Sequence, residues 1–215
     1  MGFTKEYWEE NYSEPMTMDC IGNAKEHAKY LYAYFDVEKV DVSSIVDLGF
    51  GLGHLFKKML KTFMPYKAYG IEPSSYAFDL ASAKRLYPLC DTMKLTLKSE
   101  SLQQWCERKT TSKLRFDLGL CTSVFQYLSE EDLTKIIPIL SDRVKYLYLT
   151  VPTDVELKRQ VSELDFVDRF ALARSREFYF DVMRDFFTHV SSRVWESKTY
   201  FDEDTTLMSD LLYRH

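Results

Sequence analysis

The sequence predicts an α/β fold with a parallel, helix-covered sheet, and three observations carry that expectation. Strand-like apolar runs alternate with helical patterns five times before Pro152, the order that parallel sheets require. Residues Ile45 to Leu55 read Ile-Val-Asp-Leu-Gly-Phe-Gly-Leu-Gly-His-Leu, a β-branched run opening through three alternate glycines into a helix. At 215 residues and 46% hydrophobic, the chain can bury a sizeable core without disulfides or metals. A single domain over 1–215 is expected, with an N-terminal helical or lid segment over 1–40 and a core over 41–215.

The elements follow in order. After the first strand, Leu55, Phe56, Met59, Leu60 and Phe63 share one helical face, with Lys57, Lys58 and Lys61 opposite, and Pro65 ends the helix. Ala68 to Glu72 is a second strand and Ser75 to Leu86 a helix. Met93 to Leu97 alternates as a third strand, and Ser99-Glu100-Ser101-Leu102 starts the helix after it. Arg115 to Cys121 is a fourth strand. Ser129-Glu130-Glu131-Asp132 opens another helix as a capping box, with Pro138 expected to kink or shorten it. Val144 to Val151 is a fifth strand, stopped by Pro152. From Asp154 about 35 residues carry helical, aromatic-rich patterns. Strands near Val190 to Lys198 and Thr206 to Tyr213 are expected to close the chain as a hairpin.

The glycine spacing decides the ligand class. Alternate glycines at a strand-to-helix turn form a backbone cradle open to close approach. A dinucleotide fingerprint starting at Gly49 needs glycine at 54, where His54 stands. Asp47-Leu48-Gly49-Phe50-Gly51-Leu52-Gly53 instead resembles the first motif of the class I S-adenosylmethionine-dependent methyltransferases, with Phe50 where that family often has a smaller residue. The resemblance continues in Gly70-Ile71-Glu72-Pro73-Ser74, and in Phe116-Asp117 leading to Cys121, Thr122 and Ser123. Gln126 and Tyr127 then stand where the family often carries glutamate and histidine.

The resemblance implies a Rossmann-like three-layer sandwich with seven strands, mostly parallel, the last antiparallel. It implies S-adenosyl-L-methionine as cofactor, bound by a core that includes Asp47, Gly49, Phe50, Gly51, Gly53, Glu72, Pro73, Ser99, Glu100, Cys121 and Thr122. Asp47 would help hold the cofactor's amino group, and an acidic loop suits a positively charged sulfonium better than a pyrophosphate. Glu72, at the end of the second strand, is the expected ribose ligand; its alternative reading is a solvated acid near a helix N-terminus. Lys98 stands near where the family has aspartate, leaving Ser99 and Glu100 as adenine-side candidates or as the start of a surface helix. The reaction implied is methyl transfer to a small molecule, with the acceptor atom open.

No catalytic residue is assigned. Tyr127, His54 and the hydroxyls of the N-terminal aromatics are candidates by position for a base, should the acceptor need one; Tyr127 reads equally as a packed aromatic. Tyr7, Trp8 and Tyr12 lie in an aromatic N-terminal segment that reads either as a flap over the substrate or as a packed helix. Arg169, Arg174 and Arg176 form a late basic cluster, open to an anionic ligand or simply a solvated face.

A formal net charge of −5 argues against a nucleic-acid partner. Cys20, Cys90, Cys106 and Cys121 show no paired spacing and no Cys/His cluster, so no metal is expected. The sequence has no apolar run near 20 residues, and a cytoplasmic setting without membrane contact is expected. Two rival readings stand beside the enzyme: a non-catalytic cofactor-binding or partner subunit on the same fold, and a nicotinamide-dependent oxidoreductase, disfavoured by His54.

Overall fold

The computed structural model describes residues 3–12, 14–202 and 205. Seven strands run in chain order as β1 (Ser44–Leu48), β2 (Lys67–Ile71), β3 (Lys94–Lys98), β4 (Phe116–Thr122), β5 (Val144–Thr150), β6 (Phe187–Ser191) and β7 (Val194–Ser197). They form one sheet in the order β3-β2-β1-β4-β5-β7-β6. β1 pairs in parallel with β2 and β4, and β2 with β3, whereas β7 is antiparallel to both β5 and β6. This is the mostly parallel, Rossmann-like sheet with an antiparallel last strand that the sequence predicts. The helices are α1 (Lys5–Asn11), α2 (Ala24–Val37), α3 (His54–Phe63), α4 (Ser75–Lys84), α5 (Leu102–Glu107), α6 (Glu130–Arg143), α7 (Asp154–Leu164) and α8 (Arg176–Met183).

The chain divides into two compact units: one holds residues up to Trp105 together with Phe116–Leu120, the other Cys106–Arg115 and the chain from Cys121 on. In the first unit, β1 and β2 are buried along nearly their whole length, as strands covered on both faces must be, while β3 alternates between exposed and half-buried positions. α3 buries Leu55, Phe56, Met59 and Leu60, each contributing roughly 1.5–3 kcal/mol by removal from water. It stops at Met64, whose left-handed backbone (φ 47°) and N–H to the Leu60 carbonyl close the last turn before Pro65. Asp117 on β4 fixes the start of β1: its Oδ2 accepts from the N–H and the hydroxyl of both Ser43 and Ser44.

In the second unit α6 packs against β5 and α8. Two expectations need correction there. Pro138 does not shorten α6, which runs on to Arg143. The stretch expected as one strand from Val190 to Lys198 is instead the second half of a hairpin, β6 and β7, turning at Ser192 and Arg193. That turn contains no glycine, asparagine or proline, and only serine, the weaker turn former, marks it in the sequence. The expected strand from Thr206 to Tyr213 lies outside the described residues.

Candidate functional site

β1 ends by delivering Asp47 and Leu48 into the glycine turn. Gly51 has φ +50°, and a Cβ built there would lie 3.2 Å from Cη2 of Trp8; a side chain is thus opposed both by backbone and by neighbour. The turn is tied to β2 twice, by the Phe50 N–H donating to the Ile71 carbonyl (3.1 Å) and the Gly51 N–H donating to Glu72 Oε2 (2.8 Å). Gly53 then N-caps α3. The Phe50 ring packs among Phe56, Phe78 and Gly70, so the large residue in the motif spends its side chain on the core and offers the turn only its backbone.

Glu72 is buried, and its second oxygen accepts from the Ser74 N–H at 2.8 Å. Burial pushes its carboxyl up to about 7, with the Ser74 and Gly51 N–H groups pulling the other way. Asp47, also buried, is held well above the usual carboxylate range by desolvation and then by the charge of Glu72. Two buried acids side by side, Asp47 raised further by Glu72, make a place where positive charge is favoured. A carboxylate offers about four acceptor positions, so Glu72 can hold the glycine turn and still accept from two hydroxyls. Glu100 is buried with the Tyr69 hydroxyl 3.5 Å away, whereas Ser99 and Pro73 are exposed.

His54 opens α3. Its Nε2 is buried without a hydrogen-bond partner, and burial, followed by the charges of Arg85 and Lys58, lowers its pKa. A neutral imidazole with a free acceptor or donor position results. The N-terminal aromatics come together as a folded helix: Trp8 is buried over Gly51, with the Tyr12 ring 4.5 Å and the Tyr7 ring 6.0 Å from it. Ser74, not singled out by the sequence reading, organises this corner. Its Oγ accepts from Trp8 Nε1 (2.8 Å), donates to the Phe3 carbonyl (2.7 Å) and caps α4. The signal available for it was the serine N-cap pattern ahead of Ala77.

In the second unit, β4 ends with Cys121 buried and Thr122 half-buried. Ser123 then adopts φ +55° and donates its N–H to the Thr150 carbonyl at 2.8 Å. Gln126 is buried, its Oε1 without a partner, while its carbonyl accepts from the Leu172 N–H at 2.8 Å. The Tyr127 hydroxyl donates to Asp168 Oδ2 at 2.6 Å. Arg174 is no part of a solvated cluster: it is buried, donates to the Leu128 carbonyl at 2.7 Å and stacks on Phe178. Arg169 and Arg176 remain exposed.

No protein-family model matches the sequence, and no curated protein matches it. Solved structures do. The plantazolicin methyltransferase BamL, solved with a triazolic desmethylPZN analog and SAH, superposes with a TM-score of 0.60 at 12% identity, over 94% of this chain and 74% of that one. Magnesium protoporphyrin IX methyltransferase (ChlM) from Synechocystis PCC 6803, with bound SAH, gives 0.54 at 16%, over 80% and 81%. The small RNA methyltransferase HEN1 gives 0.56 at 16%, over 83% of this chain and 26% of that one. HEN1 among the neighbours overturns the expectation of no nucleic-acid partner: the net charge of a whole chain does not report the charge of one face. Among the described residues no helix is long and apolar enough to cross a membrane. The strand order, the antiparallel β7 and these superpositions together give the chain the class I S-adenosylmethionine-dependent methyltransferase fold.

Proposed function

We propose that the protein binds S-adenosyl-L-methionine and transfers its methyl group, with a small molecule as acceptor. The observation that carries the reading is Glu72, which pins the Gly51 N–H while keeping acceptor positions for vicinal ribose hydroxyls. The rest of the first unit fits the same ligand. Backbone at Gly49, Gly51 and Gly53, all at positive φ, permits close approach; Asp47 favours the ammonium and sulfonium charges; Glu100 is the buried acid available to an adenine amino group. Bound, the cofactor supplies an electrophilic methyl carbon. The chain's own task is then alignment and exclusion of water, and the Trp8 ring already covers Gly51. His54, with an unpartnered Nε2 and a lowered pKa, is the side chain able to take a proton from an acceptor, while Tyr127, whose hydroxyl donates to Asp168, could only relay one to that carboxylate.

Calorimetric titration with S-adenosylhomocysteine tests the cofactor: saturable heat and a raised melting temperature are expected, and silence with it alongside a response to NAD sinks the reading. Labelled cofactor offered with small-molecule acceptors, and separately with short RNAs, tests the acceptor. The HEN1 likeness makes RNA the second reading. Label carried to RNA alone replaces the small-molecule assignment.

A further inference from the structure

Asp19 and Cys20, in the turn before α2, come together with His27 on the first turn of α2, and nothing in the proposed methyl transfer uses them. Cys20 Sγ lies 3.9 Å from His27 Nε2 and 3.5 Å from Asp19 Oδ2, and His27 Nε2 lies 3.0 Å from Asp19 Oδ1. The three donor atoms fall within 4.8 Å of one another. A tetrahedral zinc with sulfur at about 2.3 Å and nitrogen and oxygen at about 2.1 Å spaces its ligand atoms roughly 3.3–3.6 Å apart. The observed distances, each to one or other Asp19 oxygen or between Cys20 and His27, bracket that range, so side-chain adjustment can bring all three residues onto one ion.

The surroundings are built to hold this arrangement. Cys20 has φ +62°, a left-handed conformation that a residue with a side chain rarely adopts; such outliers point towards function. Asn23 grips the turn at both ends: its Oδ1 accepts from the Cys20 N–H and its Nδ2 donates to Asp19 Oδ1, each at 2.7 Å. A side chain that orients a ligating carboxylate and its neighbouring backbone is the usual support of a metal ligand. Cys20 and His27 are buried, while the Asp19 side chain is 52% exposed. Two donors thus sit in the protein and the third faces water.

We propose that Asp19, Cys20 and His27 form a binding site for a thiophilic divalent cation, zinc by its taste for one sulfur, one nitrogen and one oxygen donor, with water as the fourth ligand. Binding releases the Cys20 thiol proton to solvent. α2 packs along α3 and hands the chain to the start of β1, which puts its first turn towards the strand ends that carry the glycine loop. The ion would therefore clamp the N-terminal segment at the cofactor end of the first unit. The sequence reading expected no metal because these three residues match no zinc spacing; only the left-handed turn brings them together. The inference does not depend on methyl transfer.

The test uses the full chain, freed of metal by a chelator and titrated with Co²⁺. A thiolate-to-cobalt charge-transfer absorption saturating at one ion per chain, and displaced by Zn²⁺, is expected. Cys20→Ser should abolish that absorption. His27→Gln and Asp19→Asn should each weaken Zn²⁺ binding about tenfold or more, the scale on which even supporting residues act, while Cys90→Ser changes nothing. Asp19 is exposed, so its variant reports on the site even should the buried cysteine substitution unfold the chain. No saturable absorption, Zn²⁺ affinity unchanged in Asp19→Asn, or an absorption lost in Cys90→Ser overturns the proposal.

Discussion

β1 and β4 both end in a turn that enters left-handed backbone, yet the two turns are made of different material. After β1 the conformations at positive φ all fall on glycines, the hydrogen bonds come from backbone N–H groups, one of them to the buried Glu72, and Trp8 lies over Gly51. After β4 the left-handed residue is Ser123, and the segment that follows is laced by side chains: Tyr127 to Asp168, Arg174 to the Leu128 carbonyl, Gln126 buried with an idle oxygen. A turn of bare backbone recognises a constant ligand; a turn of side chains can be re-specified one residue at a time. The contrast matches a division between a shared cofactor and an individual acceptor, and it can be broken at several points.

The largest effect expected is on the pH dependence of stability. A carboxyl near 7 in the folded chain and near 4.5 unfolded favours folding fully below about pH 4.5, and loses that advantage as the pH rises to about 7. Across that window wild type should lose about 3 kcal/mol more than Glu72→Gln, read from urea unfolding at pH 5 and pH 8. Asp47, raised for the same reasons, supplies whatever slope the variant keeps. Parallel curves for the two proteins would show that Glu72 is not desolvated in solution.

Next in size, Glu72→Ala should cost the cofactor about 1.5–3 kcal/mol, the scale of hydrogen bonds to a charged group, with Glu72→Gln milder because one acceptor remains. Isothermal titration with S-adenosylhomocysteine reads both. Unaltered affinity in the alanine variant returns Glu72 to the role of a purely structural acid that pins Gly51. Gly51→Ala should keep a cooperative thermal transition but lose binding by about 1–3 kcal/mol, the cost of holding a side chain in a sparse backbone region. Gly119→Ala, within β4, should bind nearly as wild type. Equal affinity in the two glycine variants would mean that the glycine turn after β1 does not meet the cofactor closely.

The smallest effect sharpens the other half. Tyr127→Phe removes one hydrogen bond, worth about 0.5–1.5 kcal/mol, and should alter methyl transfer to the acceptor while S-adenosylhomocysteine binds as before. If cofactor affinity falls instead, the turn after β4 serves the constant ligand too.

What the sequence made legible divides along the same line. The placement of Asp47, the three glycines and Glu72 could be read because it depends on backbone geometry and on positions a fixed number of residues apart at strand ends. Tyr127 was visible, but its partner Asp168 lies 41 residues on, in a stretch that reads as helical and that the structure leaves as a loop between α7 and α8. The grouping of Asp19, Cys20 and His27 was not legible because a left-handed cysteine, not a spacing rule, assembles it. Phe50 was read as a ligand contact; its ring belongs to the core, which Gly70 makes room for. The β6–β7 turn was lost because serine announces a turn only weakly and no glycine, asparagine or proline reinforces it.

The Asp117 clamp has a consequence for how the chain is made. β1 and β2 can meet soon after synthesis, but the hydroxyls and N–H groups that start β1 wait for a carboxylate 74 residues further along. Contacts of such long range close slowly because the loop entropy comes first. A nascent chain shorter than about 120 residues therefore has its glycine turn but not the strand that braces it. Ribosome-bound fragments ending just before Phe116 should stay open to protease, and those carrying Phe116–Leu120 clear of the exit tunnel should abruptly resist it.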